Sequence, residues 1–250
     1  MSLRMTVSAT LAAAALVITL GPAAAQQVLL IGVEDLVYEP AYTVKDGAYG
    51  GYAREFLDAF AADAGYRMEY RALPVPRLYA EFFNGQIAFK FPDSPNWNAV
   101  AKDGKAIIYS GPVARFRDAT VVPAGKLGQP IDTLGTVTGF TPWVWLDAIN
   151  AGKVRLSENA DFGALVRQVL AGRIQGAYAS IAVVNYQLDK VLDKPGALVY
   201  DPSLPNSVDS YRLSTISRPD VVAKLDGWMA KNTTRIADMK ARHAVEKGVD

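Results

Sequence analysis

Acidic and aromatic side chains follow the first apolar run of the chain, in an order that suits the binding of a small molecule. The run 28–33, VLLIGV, is rich in β-branched residues and is typical of a buried parallel strand. The segment 34–42 comes next and supplies Asp35, Tyr38 and Glu39. Ligands of open parallel sheets bind beyond the carboxyl ends of the strands, so this segment is predicted to border a cleft.

Carboxylates near this predicted cleft could also perform acid–base chemistry. Glu34, Asp35, Glu39 and Asp93 are the acids available, and a positioned pair of them could transfer protons. Acids on solvated loops are the commoner arrangement. The sequence therefore favours binding without catalysis.

A second candidate site consists of Thr138, Gly139, Phe140 and Thr141, which precede Pro142. Threonine as N-cap and proline at the first helical position predict that a helix begins here. The free N–H groups at such a terminus attract carboxylates, which makes this turn a candidate anion site. Taken alone, the pattern also fits an ordinary strand-to-helix connection.

Aromatic residues could form the walls of the cleft or pack in the core. Trp143 and Trp145 would point to opposite sides of a helix, so at least one of them is expected in the core. Tyr38 is the strongest cleft candidate because it lies on the loop after the first strand. The aromatic candidates are Tyr38, Tyr42, Phe91, Trp97, Phe140, Trp143 and Trp145.

Composition excludes several classes of function. His243 is the one histidine and there is no cysteine, so a metal site of these residues is excluded, a Ser-His triad is disfavoured and no cofactor is expected. Beyond residue 25, 25 basic residues face 25 acidic ones without basic runs. This balance argues against nucleic acid as a partner.

The first 25 residues are predicted to be a cleaved signal peptide. A basic start at 1–4, an apolar run at 5–20 and the small residues 23–25 follow that pattern. The run is shorter than a spanning helix and is interrupted by Gly21 and Pro22. Without a cysteine to carry a lipid, the mature protein is expected to be free in the periplasm.

The remaining chain alternates strands and amphipathic helices, which predicts an α/β fold. The segments 82–87, FFNGQI, and 169–174, VLAGRI, each join a helix end, a glycine and a new strand. Two such units fit two lobes of related topology. We expect a loop at 92–97, because it contains two prolines, and a helix capped by Ser217.

The opening of the chain resembles that of periplasmic solute-binding proteins of family 3, the polar amino-acid-binding type of ABC transporters. The matching features are a strand, Asp35, Tyr38, Pro40, the turn 46–47, Gly51-Tyr52 and a helix. A later aromatic-Ser-x-Pro element, 109–112, also matches. The resemblance implies an α/β, two-lobed (type II) periplasmic binding protein, with lobe 1 at 26–114 plus 209–250, lobe 2 at 115–208, and two crossing segments between them.

The resemblance also implies a function. We expect capture of a small-molecule solute in the periplasm, hinge closure, delivery to the membrane permease of an ABC transporter, no chemistry and a monomeric state. A dehydratase-like enzyme on the same scaffold and a periplasmic sensor are the alternatives. The predicted ligand-binding residues are Asp35, Tyr38, Glu39, Arg77, Phe91, Asp93, Trp97, Ser110, Thr138, Gly139, Phe140, Thr141, Trp143 and Ser180.

Two departures from the family concern the charges of its amino-acid ligands. No arginine occurs between Leu78 and Gly111, where the family holds the α-carboxylate, and Ser180 stands where the family has an aspartate for the α-ammonium. A buried charge without a partner is costly. We therefore expect a small organic solute other than a standard α-amino acid, for example a carboxylate held by Arg77, with the aromatic residues covering an apolar or cationic body.

Overall fold

The computed structural model describes residues 26–249, so the predicted signal peptide lies outside the described residues. The strands are β1 (Gln27–Glu34), β2 (Val37–Tyr38), β3 (Tyr42–Lys45), β4 (Ala48–Gly50), β5 (Tyr66–Leu73), β6 (Phe89–Asp93), β7 (Ile108–Tyr109), β8 (Ala114–Pro123), β9 (Thr133–Val137), β10 (Arg155–Asn159), β11 (Gly176–Ser180), β12 (Leu198–Tyr200) and β13 (Asn206–Thr215). The helices are α1 (Tyr52–Ala64), α2 (Val75–Phe83), α3 (Ala99–Lys102), α4 (Leu146–Asn150), α5 (Phe162–Leu170), α6 (Ile181–Tyr186), α7 (Pro219–Lys231) and α8 (Thr233–His243).

Two groups of four strands repeat one topology. The first half-sheet has the order β5-β1-β6-β13 and the second half-sheet the order β10-β9-β11-β8. In each, the first strand along the chain (β1 or β9) lies between two parallel neighbours. The third strand (β6 or β11) also pairs with an antiparallel strand. The predicted units α2–β6 and α5–β11 therefore occupy equivalent places.

The two half-sheets meet where β8 and β13 pair with each other, from Ala114↔Tyr211 to Ala119↔Asn206. Each of these long strands also continues into a half-sheet, β13 beside β6 and β8 beside β11. Helices α1, α2 and α7 pack on the first half-sheet, α8 packs on α1 and α7, and α5 and α6 pack on the second half-sheet. The result is a two-lobed α/β fold with β8 and β13 as the crossing strands. The lobe boundaries expected from the sequence stay a prediction.

The predicted loop at 92–97 is wrong at its start, because β6 includes Pro92 and Asp93. This strand is fully buried and lies between β1 and β13. Its pairing with β13 shifts register between Lys90↔Ser214 and Asp93↔Arg212. Pro92 lies within this irregularity, where a missing N–H leaves no regular ladder bond unmade.

The helix expected to begin at Pro142 begins later in the chain, and its predicted cap by Thr141 is wrong. One 3-10 turn, Trp143–Trp145, leads into the five-residue helix α4, and no side chain caps either of them. Pro142 has ψ 64°, which is not helical and separates Thr141 from the turn. Trp145 is buried and donates its indole N–H to Thr120 Oγ1 at 3.0 Å. Trp145 is thus the tryptophan of the pair that packs in the core.

Ser217 does not cap α7, contrary to the sequence prediction. The helix begins at Pro219 without a side-chain cap. Instead, the hydroxyl of Thr215 accepts the backbone N–H groups of Ser217 (3.2 Å) and Arg218 (3.0 Å). Within residues 26–249, no helix has the length and apolar character needed to cross a membrane.

Candidate functional site

A pocket lies between the two lobes, at the carboxyl ends of β1, β9 and β11. Its walls come from both lobes and from the crossing strand β8. The cavity has a volume of about 20 Å³, so the two lobes are closed on each other. The lining residues are Glu34, Val75, Tyr79, Trp97, Asp118, Thr136, Gly139, Phe140, Thr141, Tyr178, Ala179 and Ser180.

Aromatic rings close the mouth of this pocket. Tyr38 of the first lobe stacks on Phe140 of the second at 5.8 Å between ring centroids. It also meets Phe162 edge-on at 5.0 Å and Tyr211 at 6.4 Å. Tyr38 is 2 % exposed, so the segment after β1 seals the cleft with its ring.

Gly139 has no side chain, and this allows its lobe to come close to the opposite lobe. Its φ of +87° lies in the left-handed region, and a Cβ there would come within 2.9 Å of the Val75 Cβ. Val75 opens α2 in the opposite lobe. Glycine is required here both for its backbone conformation and for the close lobe contact.

Beneath the pocket, two carboxylates and two ammonium groups form what we call the buried charge cluster: Glu34, Lys90, Asp93 and Lys102. Lys90 Nζ lies 3.5 Å from Glu34 Oε1 and 3.7 Å from Asp93 Oδ1. Lys102 Nζ binds Asp93 Oδ1 at 2.7 Å. All four residues are buried. The charges cancel within the cluster, which is the condition for burying them.

Additional donors and rings complete this cluster. Tyr42 donates its hydroxyl to Glu34 Oε2, and Lys90 donates to the Pro92 carbonyl at 2.5 Å. The Lys90 ammonium also lies 4.6 Å from the Tyr79 ring centroid. Burial raises the pKa of the Glu34 carboxyl and lowers the pKa of the Lys102 ammonium. In both cases desolvation disfavours the charged form, and the opposite charges nearby oppose that shift.

Asp118, in the middle of β8, differs from these paired acids. It lines the pocket, it is 8 % exposed, and its Oδ1 has no hydrogen-bond partner. Burial, and then the negative charge of Asp209, raise the pKa of its carboxyl to about 7. Its backbone pairs with Ser180 on one side and with Ser207 on the other. The Asp118 carboxyl therefore lies on the strand next to Ser180.

The structure brings some of the predicted site residues to the pocket. Trp97, Gly139, Phe140, Thr141 and Ser180 line it directly. Tyr38 covers it from the side through its contact with Phe140.

Other predicted residues lie behind the pocket wall. Asp93 belongs to the buried charge cluster, and Phe91 is in the core. The Ser110 hydroxyl accepts the Leu213 N–H at 3.0 Å and is buried. Thr138 is exposed, and its hydroxyl points to the Asn159 carbonyl at 3.3 Å. Trp143 is half-buried outside the lining.

The remaining predicted residues are exposed or half-buried outside the pocket lining. Asp35 is exposed, since successive residues of an extended chain point to opposite sides and Glu34 takes the inward position. Glu39 lies 3.7 Å from Lys45. Arg77 binds Glu81 at 2.8 Å on the surface of α2. These three residues are outside the pocket lining, and their role as ligand contacts stays a prediction.

Several lining residues were not predicted as ligand contacts. The alternation of side chains along β1 could have indicated Glu34, its last residue, as a lining residue. From the sequence, Glu34 was a candidate only for acid–base chemistry. Asp118 lies in a segment predicted as a crossing, where no signal marked it as facing the ligand. Tyr79 and Tyr178 carried no signal beyond their apolar surroundings.

No family model and no curated protein matches this chain. Solved structures do match over most of its length. A mutant of the arginine-binding protein ArgBP from T. maritima is 13% identical, with 88% of this chain and 96% of that chain covered and a TM-score of 0.69. A histidine kinase sensor domain with similarity to periplasmic binding proteins is 16% identical (90% and 97% covered, TM-score 0.69).

A third solved structure is an ancestral amino acid-binding protein described as a precursor of cyclohexadienyl dehydratase. It is 15% identical, with 86% of this chain and 95% of that chain covered and a TM-score of 0.67. These likenesses establish the two-lobed periplasmic binding protein fold. At such low sequence identity they do not identify the ligand or the activity, which have to be inferred from the site.

Proposed function

We propose that the protein captures a small organic solute in the periplasm by closing its two lobes, without chemical conversion. The observation that carries this proposal is a closed inter-lobe pocket to which both lobes and a crossing strand contribute buried polar groups. Two crossing strands are the usual hinge for such a closure. The fold shared with arginine- and histidine-binding proteins supports the proposal.

The pocket differs from what a standard α-amino acid requires. None of the lining residues is basic, and the nearest buried ammonium group, that of Lys90, is already bound to Pro92 O between two carboxylates. Arg77, which the sequence suggested for a carboxylate, is engaged with Glu81 outside the pocket. An α-carboxylate would therefore enter without a counter-charge, which costs several kcal/mol.

Delivery to the membrane permease of an ABC transporter is the second part of the proposal, with the protein acting as a monomer. One solved structure of the same fold is the substrate-binding protein of an ABC uptake transporter with bound histidine. The sensor domain with this fold makes signalling the alternative role. Deletion of the gene distinguishes them, because loss of solute uptake indicates transport and loss of a transcriptional response indicates sensing.

An enzyme of the dehydratase type is the second candidate. A pocket carboxyl with a pKa of about 7, as for Asp118, suits a general acid or base at neutral pH. The similarity of the fold to that of a dehydratase precursor also supports this candidate. Binding without catalysis is preferred because an unpaired buried acid equally serves to hold a charged ligand.

The test is identification of the solute, followed by a turnover assay. Protein purified from cells is denatured, and the released small molecules are identified by mass spectrometry. A thermal-shift screen with the same compounds then gives the affinity. Recovery of the solute unchanged after prolonged incubation with the protein supports capture. Conversion of the solute, or no stabilisation by any compound, would overturn the proposal.

A further inference from the structure

We propose that the solute is a small organic cation, whose positive charge is held by Asp118 against aromatic walls. This inference rests on the proposed function and specifies its ligand. It requires an ammonium, a substituted ammonium or a guanidinium group, and it does not require a carboxylate.

The first support is the state of the Asp118 carboxyl. A buried carboxylate is normally paired or hydrogen-bonded, because its removal from water is costly. Asp118 Oδ1 has no partner among the described residues, although the side chain is more than nine-tenths buried and faces the pocket. A cation would supply the missing partner, and the lobes must move apart to admit it, because the closed cavity is only about 20 Å³.

The second support is that nearby basic side chains are committed elsewhere. Arg117 is the next residue on β8, and its guanidinium donates to Asn206 Oδ1 at 2.9 Å and to the Val249 carbonyl at 3.0 Å. Lys90 and Lys102 belong to the buried charge cluster. Among the described residues, no basic side chain forms an ion pair with Asp118. The counter-charge is therefore expected from outside the chain.

The third support is the sign of the surrounding field. Glu34 also lines the pocket, and Asp209 on β13 lies near enough to raise the pKa of Asp118. Glu34 is compensated by Lys90 and Asp209 lies outside the lining, so Asp118 is the lining acid without a counter-charge among the described residues. Such a field attracts a cation and repels a carboxylate, since like charges in a poorly solvated site repel strongly.

The fourth support is the composition of the walls. Four aromatic residues line the pocket beside the carboxyl groups: Tyr79, Trp97, Phe140 and Tyr178. The Lys90 ammonium already lies 4.6 Å from the Tyr79 ring centroid and 5.7 Å from that of Trp97, so Phe140 and Tyr178 are the rings left for a ligand. Aromatic faces attract cations, and a box of rings with an acid is the usual site for substituted ammonium groups. The hydroxyl of Tyr178 is already bound to Ser207 at 2.7 Å, which leaves its ring for the ligand.

The test compares ligands that differ only in charge. Choline is paired with the neutral 3,3-dimethylbutan-1-ol and with glycine betaine, which adds a carboxylate. Agmatine is paired with arginine, and cadaverine with lysine. Titration calorimetry of the full mature protein at pH 8 gives the dissociation constants. We expect at least one cation to bind, and its neutral or carboxylate-bearing analogue to bind at least about tenfold more weakly.

Two variants connect this selectivity to Asp118. Asp118→Asn removes the charge while keeping the shape, and should weaken the cation by at least about 30-fold. Asp147→Asn, an exposed acid of α4, makes the same change in net charge and should leave affinity within about twofold. Unchanged affinity in Asp118→Asn would overturn the inference.

The failure of this inference is distinguishable from the failure of the proposed function. If only anionic or neutral solutes bind, the cation is excluded and the capture of a solute still stands. If arginine or lysine binds more tightly than agmatine or cadaverine, a carboxylate contributes and the inference is also wrong. If no compound of any charge class binds, both are wrong.

Discussion

Two acidic regions flank the pocket and differ in how their charge is compensated. In the buried charge cluster, Asp93 is bound by Lys102 at 2.7 Å, and Lys90 lies between it and Glu34. On the other side, Asp118 is equally enclosed by protein but has an oxygen without a partner. In the first arrangement each carboxylate has an ammonium partner within the chain, although Asp93 Oδ2 has no hydrogen-bond partner. The second is incomplete without a ligand, which is why we assign the cluster to structure and Asp118 to binding.

Lys90→Met should have the largest effect, because it removes the cation that lies between two buried carboxylates. Loss of one partner from such a cluster costs about 3–5 kcal/mol. Urea unfolding at pH 7 measures the loss, and Lys126→Met, at an exposed position of the second lobe, serves as the control with a change below about 0.5 kcal/mol. A Lys90→Met protein as stable as the wild type would show that the cluster is not structural.

Asp118→Asn should have the opposite effect and stabilise the ligand-free fold at pH 8. The pKa of this carboxyl is raised from 3.8 to about 7, so between these values the folded state keeps a proton that the unfolded chain has released. Wild-type stability therefore falls as pH rises through this window, by up to about 4 kcal/mol in total.

Urea unfolding of the wild-type protein and of Asp118→Asn at pH 4 and pH 8 tests the direction of this change in stability. The gain of Asp118→Asn should be present at pH 8 and absent at pH 4, while Asp147→Asn should show no such difference. A variant that is both more stable and unable to bind a cation identifies a binding group rather than a packing group. Destabilisation at pH 8 would place Asp118 with the structural acids.

The affinity for choline should increase with pH, because the fixed positive charge of choline binds the ionised carboxyl of Asp118. The increase should be about tenfold per pH unit below pH 7 and small above it. Glu34 and Asp209 also face this carboxyl. Tyr38, Tyr178 and Tyr211 face it too, and burial raises the pKa values of their hydroxyls, so they stay neutral in this range. Calorimetry from pH 5.5 to 8.5 gives the profile, and Asp118→Asn should flatten it.

The smallest predicted effects come from two turns in the second lobe. Asp161 caps α5 by accepting the Ala164 N–H at 2.7 Å, so Asp161→Ala should cost about 1 kcal/mol of stability. Thr141 lines the pocket without capping a helix, so Thr141→Ala should change stability by less than about 0.5 kcal/mol and alter cation affinity instead. Equal losses of stability in Asp161→Ala and Thr141→Ala would indicate that Thr141 caps a helix, as the sequence predicted.

The sequence by itself determined the alternation of strands and helices, the repeated helix-glycine-strand unit and the segment after β1 as a wall of the cleft. These features depend on local periodicity and on residues with special backbone preferences, which act over a few neighbours. The family resemblance identified Ser180, which lines the pocket. The reasoning from residue type and turn chemistry identified Trp97 and the segment 139–141, which also line it. It failed at Pro92 and Pro142, where the irregular pairing and the ψ angle depend on neighbours distant in sequence.

Tertiary structure alone decided which acids are paired. The sequence does not show which of Asp93 and Asp118 is paired: Asp118 follows Arg117 directly, yet the Arg117 guanidinium donates to Asn206 and Val249, and Asp93 has no basic residue beside it in sequence. Lys102 reaches Asp93 from α3, and Tyr42 reaches Glu34 from β3, whereas no basic group of the described chain reaches Asp118. Charge compensation depends on distances of a few ångströms between segments far apart in sequence, and only the folded chain sets those distances.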